Sequence, residues 1–306
     1  MLLTILKALA DPSRLRIVGV LLHGPFTVQE LTTILGVGQS RISWHLKILA
    51  EAGAVGIKRQ GTWHYYQLAL GESIFKEILP ILERDFASSA TYKEDCQVVA
   101  AIFEERKTRT KTFFDTVACQ WDTLAATLLP VPRYEQALLD EVPACQRLAE
   151  VGIGTGSLLL SLVKKANETI GVDHSSAMLG EARKKVQHAG YTDVHFRLGD
   201  MHHLPFPDGY LDGVVLNMVL HHAVDPRVVL REMRRVLRPD GALVVAELQT
   251  HEQEAARERL ADQWLGFDAE ELSEWCVAAG FASCTCKPIA PEMSGQTAVQ
   301  IVRAAV

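Results

Sequence analysis

The chain has 306 residues with a formal net charge of −6, 48% hydrophobic and 22% charged. It is too long for one ordinary compact domain and too apolar for a disordered polymer, so two packed cores are expected. No apolar run approaches the roughly 18 to 20 residues of a membrane span, and Lys7 and Asp11 interrupt the first run, MLLTILKALADPSR. No membrane association is therefore expected, and a cytoplasmic location is. The six cysteines, Cys96, Cys119, Cys145, Cys276, Cys284 and Cys286, are scattered as reduced, packed thiols would be. Charge is uneven. Residues 1–68 carry Lys7, Arg14, Arg16, Arg41, Lys47, Lys58 and Arg59 against Asp11, Glu30 and Glu51, so that segment is +4 and the remainder −10. Only the N-terminal part suits a polyanion.

In DPSRLRIVGVLLHG, Pro12 fits a first helical turn, and Leu15, Val18 and Leu22 share one face. Thr27 caps VQELTTILG, Glu30 completes a capping box and Gly36 ends the segment. After the VGQ turn, Gln39 opens SRISWHLKILAEAG, whose apolar Ile42, Leu46 and Leu49 alternate with Arg41, Ser43, Trp44, His45 and Lys47 on the other faces. A short helix, a turn and an amphipathic helix form a helix-turn-helix. VGIKRQGTWHYYQL follows as two β-strands joined at Gln60 and Gly61, a wing with Lys58 and Arg59 near its tip.

Taken in order, ALADPSRLRIVGVLL, the helix-turn-helix, LKILAEAGAV and KRQGTWHYYQL resemble the winged-helix domain of the ArsR/SmtB family of bacterial repressors over residues 4–70. The resemblance implies that the motif's second helix enters the major groove of double-stranded operator DNA. Gln39, Ser40, Arg41, Ser43, Trp44, His45 and Lys47 would then face the groove, with Lys58 and Arg59 on the wing. Gln and Arg suit base edges, Ser and Lys suit phosphates. Core packing is the alternative for Trp44, and His45 reads as a polar contact rather than a metal ligand. The family's metal-sensing positions are unmatched, because FTVQELTTIL lacks Cys and no His occurs between His64 and His174. GESIFKEILPILERDF, with Ile74, Ile78, Ile81 and Leu82, resembles the family's dimerisation helix. That implies a homodimer reading half-sites about one helical turn apart.

From Lys93 to Leu129 the composition is helical, with no interior Pro or Gly, until Pro130 and Pro132 break the run and RYEQALLDEV begins another helix. FFDTVACQWD resembles the helix preceding many S-adenosylmethionine-dependent methyltransferase domains, which makes Phe113, Phe114 and Trp121 candidates for a lid over the cofactor, with plain core packing as the alternative.

RLAEVGIGTGSLLLSLV then reads as strand, glycine turn and helix. Gly152, Gly154 and Gly156 let the backbone turn sharply and approach a ligand at a helix N-terminus. In TIGVDHS a second strand ends at Asp173, where a carboxylate can accept from both hydroxyls of a ribose. EVGIGTG, GVDHSSAML, GDMHHLPFPDGYLDGVV and LRPDGALVV together resemble class I S-adenosylmethionine-dependent methyltransferases across about 148–250. The resemblance implies a Rossmann-like α/β fold with a mostly parallel seven-stranded sheet, its last strands in 281–303. It also implies that Glu150 and the three glycines line the methionine portion of S-adenosylmethionine or S-adenosylhomocysteine, and that Asp173 takes the ribose with His174 beside it. Asp200 and Met201 would flank the adenine and Asn217 close the pocket; Met178 packs on the nucleoside or in the core. No catalytic residue is assigned, since methyl transfer needs chiefly an electrophile held in line with its acceptor. His202, His203, His221 and His222 read as bases, metal ligands or ordinary family sequence. Cys284 and Cys286, on alternate strand positions, invite an arsenic or metal reading but lack a third ligand nearby, so they read as packed thiols and no metal is expected.

The expected organisation is a winged-helix DNA-binding and dimerisation domain at 1–90, a helical connector and lid at 91–147, and an S-adenosylmethionine-binding domain at 148–306. Two functions follow. One is a transcription regulator, of repressor type, whose methyltransferase-like domain senses S-adenosylmethionine or S-adenosylhomocysteine. The other is an active methyltransferase for a small molecule, autoregulated through its winged helix. An inert dimerising body is a third possibility that the intact glycine and acid positions disfavour.

Overall fold

The computed structural model describes residues 2–71, 74–128 and 133–306, so the expected breaks at Pro130 and Pro132 lie outside the described residues. The chain divides into two compact units, Met1–Arg106 and Lys107–Val306.

In the first unit α1 (Leu2–Leu9), α2 (Pro12–Leu21), α3 (Val28–Leu35) and α4 (Gln39–Glu51) precede the hairpin of β1 (Val55–Gln60) and β2 (Trp63–Leu68). The local chemistry fixes the helix ends. Asp11 caps α2 by accepting from the Ser13 and Arg14 amides (2.9 and 3.1 Å). In the box at α3, the Thr27 amide donates to Glu30 Oε2 (2.9 Å) and the Glu30 amide to Thr27 Oγ1 (3.3 Å). Gly36 ends α3 in the left-handed region at φ 65°, which an L side chain adopts at a cost. The hairpin turns through Gly61 and Thr62, one residue later than expected, with Gln60 opposite Trp63. Phe26 extends this sheet by exchanging two backbone bonds with Tyr66. Ile17, Leu21, Phe26, Leu31, Ile42, Leu46, Leu49 and Phe75 form one core, each large side chain contributing roughly 1.5–3 kcal/mol by leaving water.

Two further helices are α5 (Ile74–Ser88) and α6 (Ala90–Val117); α6 starts in the first unit and ends in the second. On α5 the buried residues are Phe75, Leu79 and Phe86, whereas Ile81 is 58% exposed. Leu2, Leu3 and Leu6 of α1 are likewise exposed.

In the second unit a 3-10 turn (Ala118–Gln120) follows α6, then α7 (Trp121–Leu128), α8 (Glu135–Glu141), β3 (Cys145–Val151), α9 (Leu159–Leu162), β4 (Ala166–Asp173), α10 (Ser176–His188), β5 (Val194–Leu198) and β6 (Leu211–Asn217). A 3-10 turn (Leu220–His222), α11 (Pro226–Val236), β7 (Leu237–Leu248), α12 (Ala255–Arg259), α13 (Ala269–Ala278), β8 (Ser283–Ile289) and β9 (Val299–Ala305) complete it. The strands form one seven-stranded sheet in the order β5-β4-β3-β6-β7-β9-β8, parallel except for β9, which runs antiparallel to both neighbours. This is the mostly parallel α/β sheet the motifs implied. Its central strands read as continuous apolar runs, such as Val214, Val215 and Leu216 in β6, because both faces are covered.

The Pro-Asp-Gly after α11 lies within β7 instead of preceding it. Leu237 already pairs with Leu211 before these residues, and Ala242 pairs with Gly213 after them. Asp240, at φ 68°, absorbs the irregularity. Strand order reverses between β3 and β6, since β3 continues to β4 on one side while β6 pairs on the other. Ligands of open α/β sheets bind beyond the strand ends at such a switch point.

Candidate functional site

The helix-turn-helix presents one exposed face. Gln39, Ser40, Arg41, Ser43, Trp44 and Lys47 are all exposed on α4, Trp44 to 57%, which removes the core-packing alternative for that residue. His45 is the exception among the expected groove residues. It is 4% exposed, its Nδ1 lies 3.9 Å from Asp11 Oδ1, and burial lowers its pKa despite that carboxylate. The reason is geometric. Position 45 stands three after Ile42, one before Leu46 and four before Leu49, so it belongs to the buried stripe of the helix. On the wing, Arg59 is exposed and Lys58 half-buried. Two of the cations counted toward the positive surplus are consumed inside the unit. Arg14 donates to the carbonyls of Ala8 and Lys7, and Arg16 grips Asp95 with two bonds of 2.9 and 2.7 Å.

The second unit holds a cleft of about 950 Å³ at the switch point, lined by residues that follow β3, β4 and β6 together with parts of α7, α8 and the segment after α12. That volume is within the range of small-molecule sites. The β3 turn is compressed. A Cβ on Gly152, at φ 73°, would lie 2.2 Å from Val219 Cγ2, so only glycine fits. Gly154, at φ 52°, sits beside the Trp121 indole, 3.7 Å from where its Cβ would be. Its amide donates to Asp173 Oδ2 (2.9 Å), and the Ser175 amide donates to Asp173 Oδ1 (2.8 Å). Asp173 is thereby held rigid at the end of β4. Burial raises its pKa against the lowering effect of His174 and these amides.

Glu150 is 1% exposed, and its Oε2 has no hydrogen-bond partner. Burial, reinforced by the negative charge of Asp173, pushes its pKa up to about 8. His174 lines the cleft with its Nε2 also unpartnered. Met201 and Asn217 line it too, but Asp200 does not. Burial would push the Asp200 carboxyl up, yet bonds from His202 (2.7 and 2.9 Å) and Lys107 (2.9 Å) outweigh it and hold that pKa far below the ordinary range. Met178 is buried and lines the cleft, packing with Phe114 and Ala118.

Of the three aromatic lid candidates, Phe114 and Trp121 line the cleft and Phe113 backs them. Phe114 meets Trp121 edge-on at 5.0 Å and His222 at 4.9 Å. The helix bearing Trp121 is stapled to the glycine loop. Thr155 Oγ1 donates to Asp122 Oδ1 (2.5 Å), while Lys185 Nζ reaches Asp122 Oδ2 (2.8 Å), Thr155 Oγ1 (3.1 Å) and Ser157 Oγ (2.7 Å). Tyr134, absent from the sequence candidates, donates its hydroxyl to Asn217 Oδ1 (2.9 Å), and burial raises its pKa so that it remains a donor. Asp262 was equally invisible: it lines the cleft beside His221 and His222. No periodicity links residues so far apart in the chain. Among the cysteines, Cys276 of α13 is buried and interacts with Cys284 of β8, a neighbour that the spacing in the sequence did not show.

Residues 149–245 match the family described as a methyltransferase domain, and residues 11–55 match bacterial regulatory proteins of the arsR family. The demethylmenaquinone methyltransferase of Clavibacter sepedonicus is 30% identical over 166 residues, 46% of this chain and 67% of that protein. The chain belongs with the methyltransferases in its second unit and carries an ArsR-family helix-turn-helix in its first. The demethylmenaquinone methyltransferase of Paenarthrobacter aurescens is 31% identical over 151 residues, 48% of this chain and 58% of that protein. The chain spans about half the length of curated relatives it matches, 50% in one case and 42% in another. The N-methyltransferase NodS of Bradyrhizobium japonicum, solved with S-adenosyl-L-homocysteine, superposes with a TM-score of 0.51 at 17% identity, covering 64% of this chain and 97% of that one. That likeness identifies the methyltransferase fold. Among the described residues no helix is long and apolar enough to cross a membrane.

Proposed function

We propose that this ArsR-family chain is an operator-binding transcription regulator, of repressor type, whose methyltransferase domain takes S-adenosylmethionine or S-adenosylhomocysteine as its effector. The orphaned, buried Oε2 of Glu150 carries the ligand assignment. A buried carboxylate oxygen without a partner is costly unless a cationic or donating group meets it, and the ammonium of a methionine or homocysteine moiety is such a group. Asp173, pinned by two amides, would accept from the ribose hydroxyls. Gly152 and Gly154 leave room for the thioether or sulfonium chain, and Met201, Met178 and Trp121 give an apolar wall for the nucleoside. S-adenosylmethionine, when bound, supplies an electrophilic methyl group. The chain's own residues bind, orient and exclude water. The exposed residues of α4 with Arg59 and Lys58 form the DNA-reading set, and His45 is left out of it.

A homodimer belongs to the same proposal. Leu2, Leu3, Leu6 and Ile81 are large apolar side chains left exposed on α1 and α5, the kind of surface a second copy covers.

A second reading, methyl transfer to a small acceptor, is favoured by one observation: the buried His221, His222 and Asp262 line the same cleft. The deciding experiment is fluorescence anisotropy on the chain's own promoter fragment at one stated salt concentration, titrated separately with the two nucleosides. The sensor reading expects one of them to change operator affinity about tenfold, a coupling of about 1.4 kcal/mol. Tight DNA binding that neither ligand moves overturns it and leaves the enzyme reading.

A further inference from the structure

We propose that His221, His222 and Asp262 bind a divalent first-row transition-metal ion, of the Zn²⁺ or Fe²⁺ type, in the wall of the cleft. This goes beyond the nucleoside assignment and does not depend on it. It also departs from the expectation of a metal-free protein, which had no means of bringing Asp262 to the two histidines.

The geometry starts from the backbone. His221 and His222 lie on the 3-10 turn after β6, and the His221 carbonyl accepts from the amides of both Gln263 and Trp264 (3.0 Å each). Those two bonds strap the residues directly after Asp262 to the turn. Ala261, just before it, is held at φ 60°, a left-handed conformation unusual for alanine. One ligand atom from each of the three side chains then lies within 4.8 Å of the others. Asp262 Oδ1 is 3.7 Å from His221 Nε2 and 3.6 Å from His222 Nδ1. These gaps are too long for hydrogen bonds and slightly wider than the ligand-to-ligand spacing around an ion with bonds of about 2.0–2.2 Å.

The second observation is what the cluster leaves undone. Asp262 has a side chain only 1% exposed, and neither of its oxygens has a hydrogen-bond partner. Arg257, the nearby cation, is engaged by Glu254 and by the Gln263 carbonyl. A buried carboxylate in that condition calls for a positive partner. On the far side of His221, Nδ1 meets Oε1 of the fully buried Glu247 at 2.6 Å, and Glu247 is fixed in turn by the amides of His221 (3.1 Å) and Leu248 (2.7 Å). A carboxylate on the remote imidazole nitrogen sets the tautomer and turns the Nε2 lone pair toward the metal; it is the usual support of a metal-ligating histidine. A dication here balances the charges of Asp262 and Glu247 together. Phe114 packs edge-on against His222 on that side.

Two imidazoles and one carboxylate select a transition ion over Mg²⁺ or Ca²⁺, which prefer all-oxygen sets. Three protein ligands leave coordination positions for a donor atom from a small molecule in the cleft.

The test uses the full chain, stripped with a chelator and titrated with Zn²⁺ by calorimetry and with Co²⁺ by visible absorption. One equivalent per chain is expected, with cobalt d–d bands and no thiolate charge-transfer band. Asp262→Asn should weaken binding at least hundredfold and Glu247→Gln ten- to hundredfold. Cys284→Ala, which removes the alternative thiol cluster, should change nothing. His222→Phe, able to pack against Phe114, carries the same expectation as Asp262→Asn should that variant melt early. No saturable uptake, a thiolate band lost in Cys284→Ala, or undiminished affinity in both Asp262→Asn and His222→Phe overturns the site.

Discussion

The proposed DNA-reading face of α4 and the cleft at the switch point are built on opposite principles. On α4 the candidate residues come from one stretch, stand in solvent and owe nothing to tertiary structure beyond the direction in which they point. In the cleft, Glu150, Asp173, Tyr134 and Asn217 come from separate elements, the first two buried and the others half-buried, and Glu150 retains an unmet hydrogen-bonding need. Exposed charge suits a polyanion, whereas buried groups already stripped of water suit a small nucleoside. The contrast teaches where each kind of variant will register.

The largest effect is expected in the cleft. Asp173→Ala removes the proposed acceptor for the ribose, and charge-assisted hydrogen bonds of about 1.5–3 kcal/mol each predict at least a thirtyfold loss of S-adenosylhomocysteine affinity by calorimetry. Operator affinity of the ligand-free protein should be unchanged. An unaltered nucleoside affinity would remove Asp173 from the site.

On α4 the next effect separates surface from core. Arg41→Ala should cost about 1–3 kcal/mol of discrimination between operator and scrambled DNA if Arg41 reads a base, with the melting temperature unmoved. His45→Ala should do the reverse, lowering the melting temperature while leaving operator selectivity intact. Selectivity lost in His45→Ala would break the distinction drawn between them.

The smallest effect, taken per pH unit, is a pH dependence. With the Glu150 pKa near 8 in the free protein, capture of an ammonium group must expel its proton at lower pH. S-adenosylhomocysteine affinity should therefore rise as pH climbs toward 8, by at most tenfold per unit. The same raised value means that Glu150's contribution to ligand-free stability is fully present below about 4.5 and is lost as pH rises through about 8. Calorimetry from pH 6 to 8 on Glu150→Gln should give a flat profile; a profile that keeps its slope assigns the proton elsewhere.

Much of this was legible in the sequence because it is local. The capping box of Thr27 and Glu30, the strand-ending Asp173 and the glycine turn each announce themselves within a few residues, and the order of motifs implied the seven-stranded sheet. What failed did so for physical reasons. His45 was grouped with its polar neighbours, although its helical position places it with Ile42 and Leu49. Arg14 and Arg16 were counted as surface charge, but one satisfies helix carbonyls and the other pairs with Asp95, 79 residues away. Tyr134, Asp262 and Cys276 reach their partners only through tertiary packing. No spacing rule finds them.

The staple of Asp122, Thr155 and Lys185 has a kinetic side. Its charged members are partly exposed, with Asp122 at 56% and Lys185 at 30%, so dissolved ions compete with it directly. An occupant of the cleft beneath Trp121 is thus expected to exchange faster as ionic strength rises, even where its equilibrium occupancy barely changes. Residence time, measured by stopped-flow displacement, would then be the quantity through which the salt content of its surroundings sets how quickly the protein forgets its last ligand.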